Sequence, residues 1–225
     1  MDIEVVRHPR ARRMRLSVDP ASGRVRLTIP RRASERRALA WAQEHREWIA
    51  ARQAELPVAR PFEPGAIVPV YGESLTLVHN PDAPRRVRRE GAQLICGGEA
   101  QAFAGRIERW LRAEAKRVLE TQTLAVARRA GVTIAQVSVG DPKSRWGSCS
   151  SSGAIRYSWR LILAPPEVLD ATVAHEVAHR RHMNHGVDFH RLEASLLGYD
   201  PAGPRRWLRH HGASLHWFGK SSSAG

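Results

Sequence analysis

The sequence predicts an α+β protein, because strand-like and helix-like patterns occupy successive parts of the chain instead of alternating along it. In the first hundred residues, short runs of strand periodicity are separated by Gly, Pro and Asn, whereas from about residue 103 the apolar residues recur mostly at helical spacing. We therefore predict a β-rich N-terminal subdomain with one helix over residues 1–100. A second domain follows over 101–219, and a disordered tail over 220–225 ends the chain.

The N-terminal subdomain begins with a predicted β-hairpin between Arg12 and Ile29, whose strands flank a turn at 19–23. Successive strand side chains point to opposite faces, so the face opposite the apolar one carries Arg13, Arg15, Arg24 and Arg26. This face is either a solvated sheet surface or a phosphate-binding surface, and the pattern allows both. An amphipathic helix capped by Ser34 and ended by Pro57 should follow, with its tryptophans packed on the hairpin.

The second domain is predicted to combine one long helix with shorter elements. Apolar residues recur at helical spacing from Phe103 to Ala130, and Gly131 is suited to the C-cap. The remaining predicted elements are strands over 132–139 and 155–162 and helices over 166–183, 189–197 and 204–211.

The composition is strongly basic: 36 Lys and Arg stand against 22 Asp and Glu in 225 residues, which gives a net charge of +14. A charge of this size favours a polyanionic partner such as DNA. Two cysteines, Cys96 and Cys149, exclude a disulfide framework, and the first residues lack a signal-peptide pattern. No apolar run approaches the roughly 18 residues of a membrane span. We therefore expect a cytoplasmic protein without a membrane partner.

Histidines are concentrated near the C-terminus, and His175-Glu176-Val177-Ala178-His179 forms the HExxH pattern within a predicted helix. Residues four apart share a helix face, so both imidazoles can reach one metal ion while Glu176 flanks it. At this chain's composition the pattern arises by chance about 0.04 times, and about 0.002 times with a third histidine at the spacing of His185. The spacing therefore predicts a metal site, with one Zn²⁺ per chain as the ion.

The third ligand must come from a residue after a turn of the chain. Three ligands on one straight helix would span about 10 Å, whereas Zn–N bonds are only about 2.0–2.1 Å long, which argues against His182. Asn184-His185-Gly186 offers a turn through a left-handed residue at Asn184 or Gly186, so we predict His185 as the ligand. His182 and His190 would then lie behind the ligands or on the surface.

Three neutral imidazoles leave Zn²⁺ with its full double charge, so a water in the fourth position would be acidified to a pKa of about 7. Glu176 is the predicted general base, which takes the proton of this metal-activated water and passes it to the leaving amine of a hydrolysed peptide bond. A structural zinc site would need a fourth protein ligand, and Cys149 is the thiol that the sequence offers. The carboxylate inside the histidine pair favours the catalytic site, since a closed site has no use for a base.

Further strings complete the pattern of a known family: Arg145-Trp146-Gly147-Ser148-Cys149, Trp159-Arg160-Leu161 and His175 to Phe189. With them the chain resembles the YgjP-like metallopeptidase family, a zincin group similar to the SprT-like proteases, nearly from end to end. The resemblance implies a zincin-like catalytic domain in which His175, His179 and His185 bind zinc and Glu176 is the base. The likeness to SprT-like proteases implies recruitment to nucleic acid. Departures from the pattern at Ser158, Val177 and His190 remove no ligand.

The string from Arg145 to Cys149 allows two roles. As an edge strand it would pair with an extended peptide, with Arg145 near a substrate oxyanion or carboxylate; as a structural element, Trp146 would pack and Gly147 would permit a turn. Tyr157 would similarly either polarise a substrate carbonyl or pack within the sheet. Arg145, Trp146 and Tyr157 are therefore the candidate residues of a substrate groove.

Two function hypotheses follow. The first is a zinc metallopeptidase that acts on protein or peptide substrates, with or without recruitment to nucleic acid. The second is a non-enzymatic basic protein that holds a structural metal and binds nucleic acid through the hairpin arginines Arg13, Arg15, Arg24 and Arg26. The second hypothesis predicts salt-sensitive DNA binding and no proteolysis under any condition.

Overall fold

The computed structural model describes residues 2–221 and confirms the mixed fold class: six α-helices and three small sheets are present in this range. The helices are α1 Glu35–Glu44, α2 Arg46–Ala54, α3 Phe103–Ala130, α4 Pro166–Ala178, α5 Val187–Leu197 and α6 Ala202–Leu215. The strands are β1 Ile3–His8, β2 Arg15–Val18, β3 Val25–Pro30, β4 Ile67–Val70, β5 Glu73–His79, β6 Arg88–Glu90, β7 Gln93–Cys96, β8 Gln136–Gly140, β9 Gly147–Cys149 and β10 Ala154–Ser158. Within this part of the chain, no helix has the length and apolar character needed to cross a bilayer.

The chain divides into two compact units, Met1–Val58 and Ala59–Gly225. The sequence predicted a division near residue 100, whereas the strands between residues 67 and 96 belong to the second unit. They do so because their apolar side chains share one hydrophobic cluster with α3 and α4, as Leu77, Leu94, Ile107 and Val173 illustrate. The last four residues of the tail predicted over 220–225 lie outside the described range.

The first unit contains the predicted hairpin: β2 and β3 pair antiparallel, with Leu16 opposite Leu27. A further strand, β1, pairs parallel with β3, so the sheet order is β1-β3-β2. The predicted single helix is instead two helices, α1 and α2, which meet at His45. Ring nitrogen Nδ1 of His45 lies 2.9 Å from the carbonyl oxygen of Trp41 at this break. Trp48 is 40% exposed, so the prediction that both tryptophans are buried was wrong for Trp48.

The four arginines of the predicted hairpin face are all exposed, but their surroundings differ. Arg26 donates to Glu4 Oε2 at 3.2 Å, because β1 lies beside β3 and supplies an acidic neighbour. Arg13 and Arg24 lie outside the strands, where the alternation of side chains no longer applies. The surface is therefore partly neutralised and less regular than the sequence pattern indicates.

The second unit contains two sheets, of order β4-β5-β7-β6 and β8-β10-β9. The strand predicted over 155–162 ends at Ser158, whose hydroxyl oxygen accepts from the backbone N–H of Arg160 and caps a 3-10 helix over Trp159–Leu163. The buried guanidinium of Arg160 donates to both carboxylate oxygens of Asp141, at 2.7 and 3.0 Å, and to the backbone carbonyl of Leu215 at 2.8 Å. Arg160 thereby connects the end of α6 to the sheet that carries β9.

Candidate metal centre

Helix α4 carries His175 and Glu176 and ends at Ala178, five residues before the predicted end at Met183. His179 is the C-cap residue and keeps a helical conformation, with φ −61° and ψ −17°, so the spacing of the two histidines is still that of a helix. The segment that follows α4 contacts the rest of the unit through an arginine side chain, because Arg180 Nε donates to the carbonyl of Thr133 at 3.2 Å.

The chain reverses direction between α4 and α5, as the sequence predicted. The reversal does not use a left-handed residue, because the φ of Gly186 is −79° and Asn184 is not among the described residues with positive φ. The predicted left-handed cap was therefore wrong. An open connection of several residues takes its place, and Gly186 N–H donates to the carbonyl of Asn184 at 2.9 Å within it.

The reversal places the side chains of His175, His179 and His185 in one cluster. One ring nitrogen from each residue lies within 4.8 Å of the other two. His175 Nε2 and His185 Nε2 are 3.2 Å apart, close to the separation of about 3.3 Å between two nitrogens that bind one tetrahedral zinc ion. Among residues 2–221, His182, His190 and Cys149 do not belong to this cluster. The donor set fits a metal ion with three imidazole ligands.

Hydrogen bonds orient the imidazoles through their Nδ1 atoms. His175 Nδ1 is 3.0 Å from Glu193 Oε1, and His179 Nδ1 is 3.2 Å from the carbonyl oxygen of His182. Both oxygens are acceptors, so each Nδ1 carries the proton and the Nε2 lone pair is left for a metal ion. The backbone of His182 therefore takes part in the site, although its imidazole is not in the cluster.

Glu193 on α5 is a member of the site that the sequence analysis missed. It is 1% exposed and accepts from His175, from Arg205 and, at 3.4 Å, from His190. Burial alone would raise the pKa of Glu193, but hydrogen bonds from His175 and Arg205 outweigh it and lower the pKa to about 2. One sequence signal was present: Glu193 occupies an apolar position of α5, four residues after the buried Phe189.

Glu176 lies beside the cluster and is only 4% exposed. Burial raises its pKa to about 7, although the electrostatic influence of His175 and Arg145 acts in the opposite direction. Strand β9 approaches the carboxylate closely, because a Cβ atom at Gly147 would lie 2.7 Å from Glu176 Cδ. Glycine at this position therefore lets the strand pass directly beside the carboxylate.

A cavity of about 280 Å³ opens beside Glu176 and His175. Its walls come from β9 and the residues before it, from α4 and from α6, and they include Arg145, Trp146, Gly147, Val168, Thr172, Pro204 and Leu208. The structure thus places two of the three candidate groove residues, Arg145 and Trp146, at the cavity. Tyr157 is fully buried instead, and its hydroxyl is 3.0 Å from Thr123 Oγ1, so it packs within the core.

Comparison with known proteins agrees with this arrangement. The fold and the three-histidine cluster correspond to the class of metallopeptidase domains, and the family model described as YgjP-like, metallopeptidase domain, matches residues 12–211. The chain belongs to this YgjP-like family. No curated protein and no solved structure shows significant similarity to the chain.

Replacement of Glu193 by Gln is expected to weaken zinc binding by about 10-fold to 100-fold, because the carboxylate that holds the His175 ring is lost. Competition with a chromogenic zinc chelator measures the affinity. Asp188→Asn is the matched control, since Asp188 lies on the same helix and is exposed. Within residues 2–221, its one ion pair is with Arg191. Equal affinities for Glu193→Gln and the unaltered protein would show that Glu193 does not support the ligand.

Proposed function

We propose that this protein is a zinc-dependent metallopeptidase in which His175, His179 and His185 hold one Zn²⁺ and Glu176 is the catalytic base. The observation that carries the proposal is the convergence of three imidazoles beside a buried carboxylate. The cluster contains no thiolate and no fourth protein ligand within the described range, which supports a catalytic rather than a structural metal.

A zinc ion bound by three imidazoles supplies an acidified water and polarises the carbonyl of the scissile peptide bond. Glu176 accepts a proton from the attacking water and transfers it to the amide nitrogen as the carbon–nitrogen bond breaks, so the products are a carboxylate and an amine. Glu193 and the carbonyl of His182 hold the imidazoles of His175 and His179 in orientation.

The substrate class that we propose is an extended peptide. Strand β9 lies at the edge of its sheet, beside Glu176, so its outer edge is available to pair with a substrate strand. Arg145 and Trp146 at the neighbouring cavity would contact substrate side chains or the terminal carboxylate. Cys96 and Cys149 are free thiols, which supports a cytoplasmic location for this activity.

The alternative is a non-enzymatic protein that holds a structural metal and binds nucleic acid through the hairpin, and the combination of the two hypotheses is a peptidase that is recruited to nucleic acid. The net charge of +14 supports both. Arg13, Arg15 and Arg24 are exposed and, in the described part of the chain, form no ion pair with a carboxylate. Salt-sensitive DNA binding without any peptide hydrolysis would favour this alternative over the peptidase.

Zinc content and hydrolysis measured on one preparation test the proposal. We expect about one zinc per chain, hydrolysis of an unfolded protein substrate, loss of hydrolysis after treatment with a chelator and recovery after addition of zinc. The same assay with and without single-stranded DNA shows whether nucleic acid affects the reaction. A zinc-loaded preparation that cleaves no peptide bond in any substrate would contradict the proposal.

A further inference from the structure

The unit Ala59–Gly225 contains a second cavity, which is lined mainly by arginines. It shares no lining residue with the cavity at the candidate metal centre. Its volume is about 430 Å³, within the roughly 300–1,000 Å³ range of ligand-binding pockets. It lies between the segment 85–87 and the first half of α3. Five arginines line it, among them Arg85, Arg106, Arg109 and Arg117, together with Trp110 and Glu114. We refer to this feature as the arginine groove.

The positive charge of the groove is largely unneutralised. Glu114 is its one acidic lining residue, and it pairs with Arg117, whose Nε donates to Glu114 Oε2 at 2.9 Å. Within the described residues 2–221, no other arginine of the groove forms an ion pair. Outside the groove, neighbouring arginines do find acidic partners, as Arg88 does with Glu90 at 2.8 Å. Unpaired like charges therefore gather around this cavity, where a bound anion would relieve their repulsion.

Backbone contacts hold parts of the groove in place. Arg106 Nη1 donates to the carbonyls of Gly97 and Glu99, at 2.9 and 3.1 Å. Gly98 has φ +79°, and a Cβ atom there would lie 3.0 Å from Arg85 Cγ and 3.1 Å from Arg106 Nη2. The side chains of Arg85 and Arg106 therefore converge over Gly98. Because hydrogen bonds hold the Arg106 guanidinium in place, this side chain loses less conformational entropy on binding an anion than a free surface arginine does.

Trp110 adds an aromatic surface to the groove. Its side chain is half-buried and packs against the hydrophobic core while it also lines the cavity. Arginines that track a phosphate backbone beside an aromatic ring that stacks on a base are the usual elements of a single-strand binding site. A double helix would present its phosphates but no free base to Trp110, and an acidic peptide would present carboxylates to the arginines but no base to stack on the ring. These features favour an unpaired nucleic-acid strand.

We propose that the arginine groove binds single-stranded nucleic acid, with Arg85, Arg106 and Arg109 on the phosphates and Trp110 against a base. The site differs from the hairpin surface considered above, and it does not depend on the peptidase activity. DNA and RNA share the recognised phosphodiester and the unstacked base, and the experiment includes both.

Fluorescence anisotropy of the 225-residue chain with labelled oligothymidylate and oligouridylate tests the proposal. Because each lost phosphate contact reduces the slope of log K against log salt by about 0.7, the double variant Arg85→Gln/Arg109→Gln should reduce it by about 1.4 between about 50 and 200 mM salt. At the lower salt concentration we expect at least about tenfold weaker binding. A labelled duplex should bind more weakly than either single strand.

Two double variants that remove the same charge are the controls: Arg88→Gln/Arg191→Gln, which alters paired arginines, and Arg13→Gln/Arg15→Gln, which alters the hairpin. Both should leave the salt slope within about 0.3 of the unaltered protein. The proposal is overturned if the strands do not bind, if either control weakens binding as much as the groove variant, or if polyglutamate competes as well as an unlabelled strand. Peptide hydrolysis by the groove variant, measured without nucleic acid, should be unchanged, so this test and that of the peptidase fail independently.

Discussion

Replacing Glu176 by Gln is expected to reduce peptide hydrolysis by about 100-fold to 10,000-fold while the zinc content stays at about one per chain. The amide has nearly the shape of the carboxylate, so it fits the space beside Gly147 and does not disturb His175 or His179. It has no basic oxygen that could take a proton from the attacking water. The loss should therefore appear in kcat and kcat/KM together, with little change in KM.

Glu167→Gln is the matched control for this experiment, because Glu167 lies on the same helix α4 and is exposed. It should retain full activity and full zinc content. Zinc is measured on the purified protein and hydrolysis on an unfolded protein substrate. If Glu176→Gln hydrolyses peptide bonds at the unaltered rate, Glu176 is not the base, and the proposed mechanism has to be abandoned even though the metal remains.

Replacing His185 by Ala is expected to remove zinc and, with it, hydrolysis. His185 is the one proposed ligand that follows the reversal of the chain, so without it the cluster retains two imidazoles, both from the end of α4. Loss of a group that only supports a ligand weakens metal binding by up to roughly 100-fold. Loss of His185 itself should weaken zinc binding by more than that. Since His185 is exposed, the variant should stay folded, which circular dichroism would show.

His182→Ala and His190→Ala are the matched controls, because both residues lie close to His185 in the chain and neither belongs to the cluster. His182 contributes its backbone carbonyl, which the alanine variant keeps. His190 contacts Glu193 at 3.4 Å, so its loss should affect zinc affinity less than Glu193→Gln does. A protein that keeps zinc without His185 but loses it without His182 or His190 would show that the third ligand has been assigned to the wrong histidine.

Local patterns in the sequence were sufficient for several parts of this architecture. The helix predicted from Phe103 to Ala130 is present with those bounds, and Gly131 ends it in a left-handed conformation with φ 62°. The hairpin and the mixed fold class are also confirmed. Helical periodicity places His175 and His179 on one side of α4, so their proximity was predictable.

Other parts of the architecture are formed by contacts between segments that are distant in the sequence. Glu193 contacts His175 across 18 positions, and no periodicity relates two residues on different helices. Gly147 and Glu176 meet because β9 runs beside α4, and β1 neutralises Arg26 because it pairs in parallel with the hairpin. The arginine groove likewise combines the loop before β6 with the outer side of α3, and the net charge alone does not locate it.

Taken alone, the amino-acid order determined the mixed class of the fold, the family to which the chain belongs, and the three histidines and one glutamate proposed for the metal centre. The tertiary structure decided where the compact units divide, which groups support the imidazoles, that Tyr157 is buried, and where unpaired arginines converge. The physical reason is that backbone periodicity sets which neighbouring side chains share a face. Which faces then meet is set by the packing of distant segments into a common core.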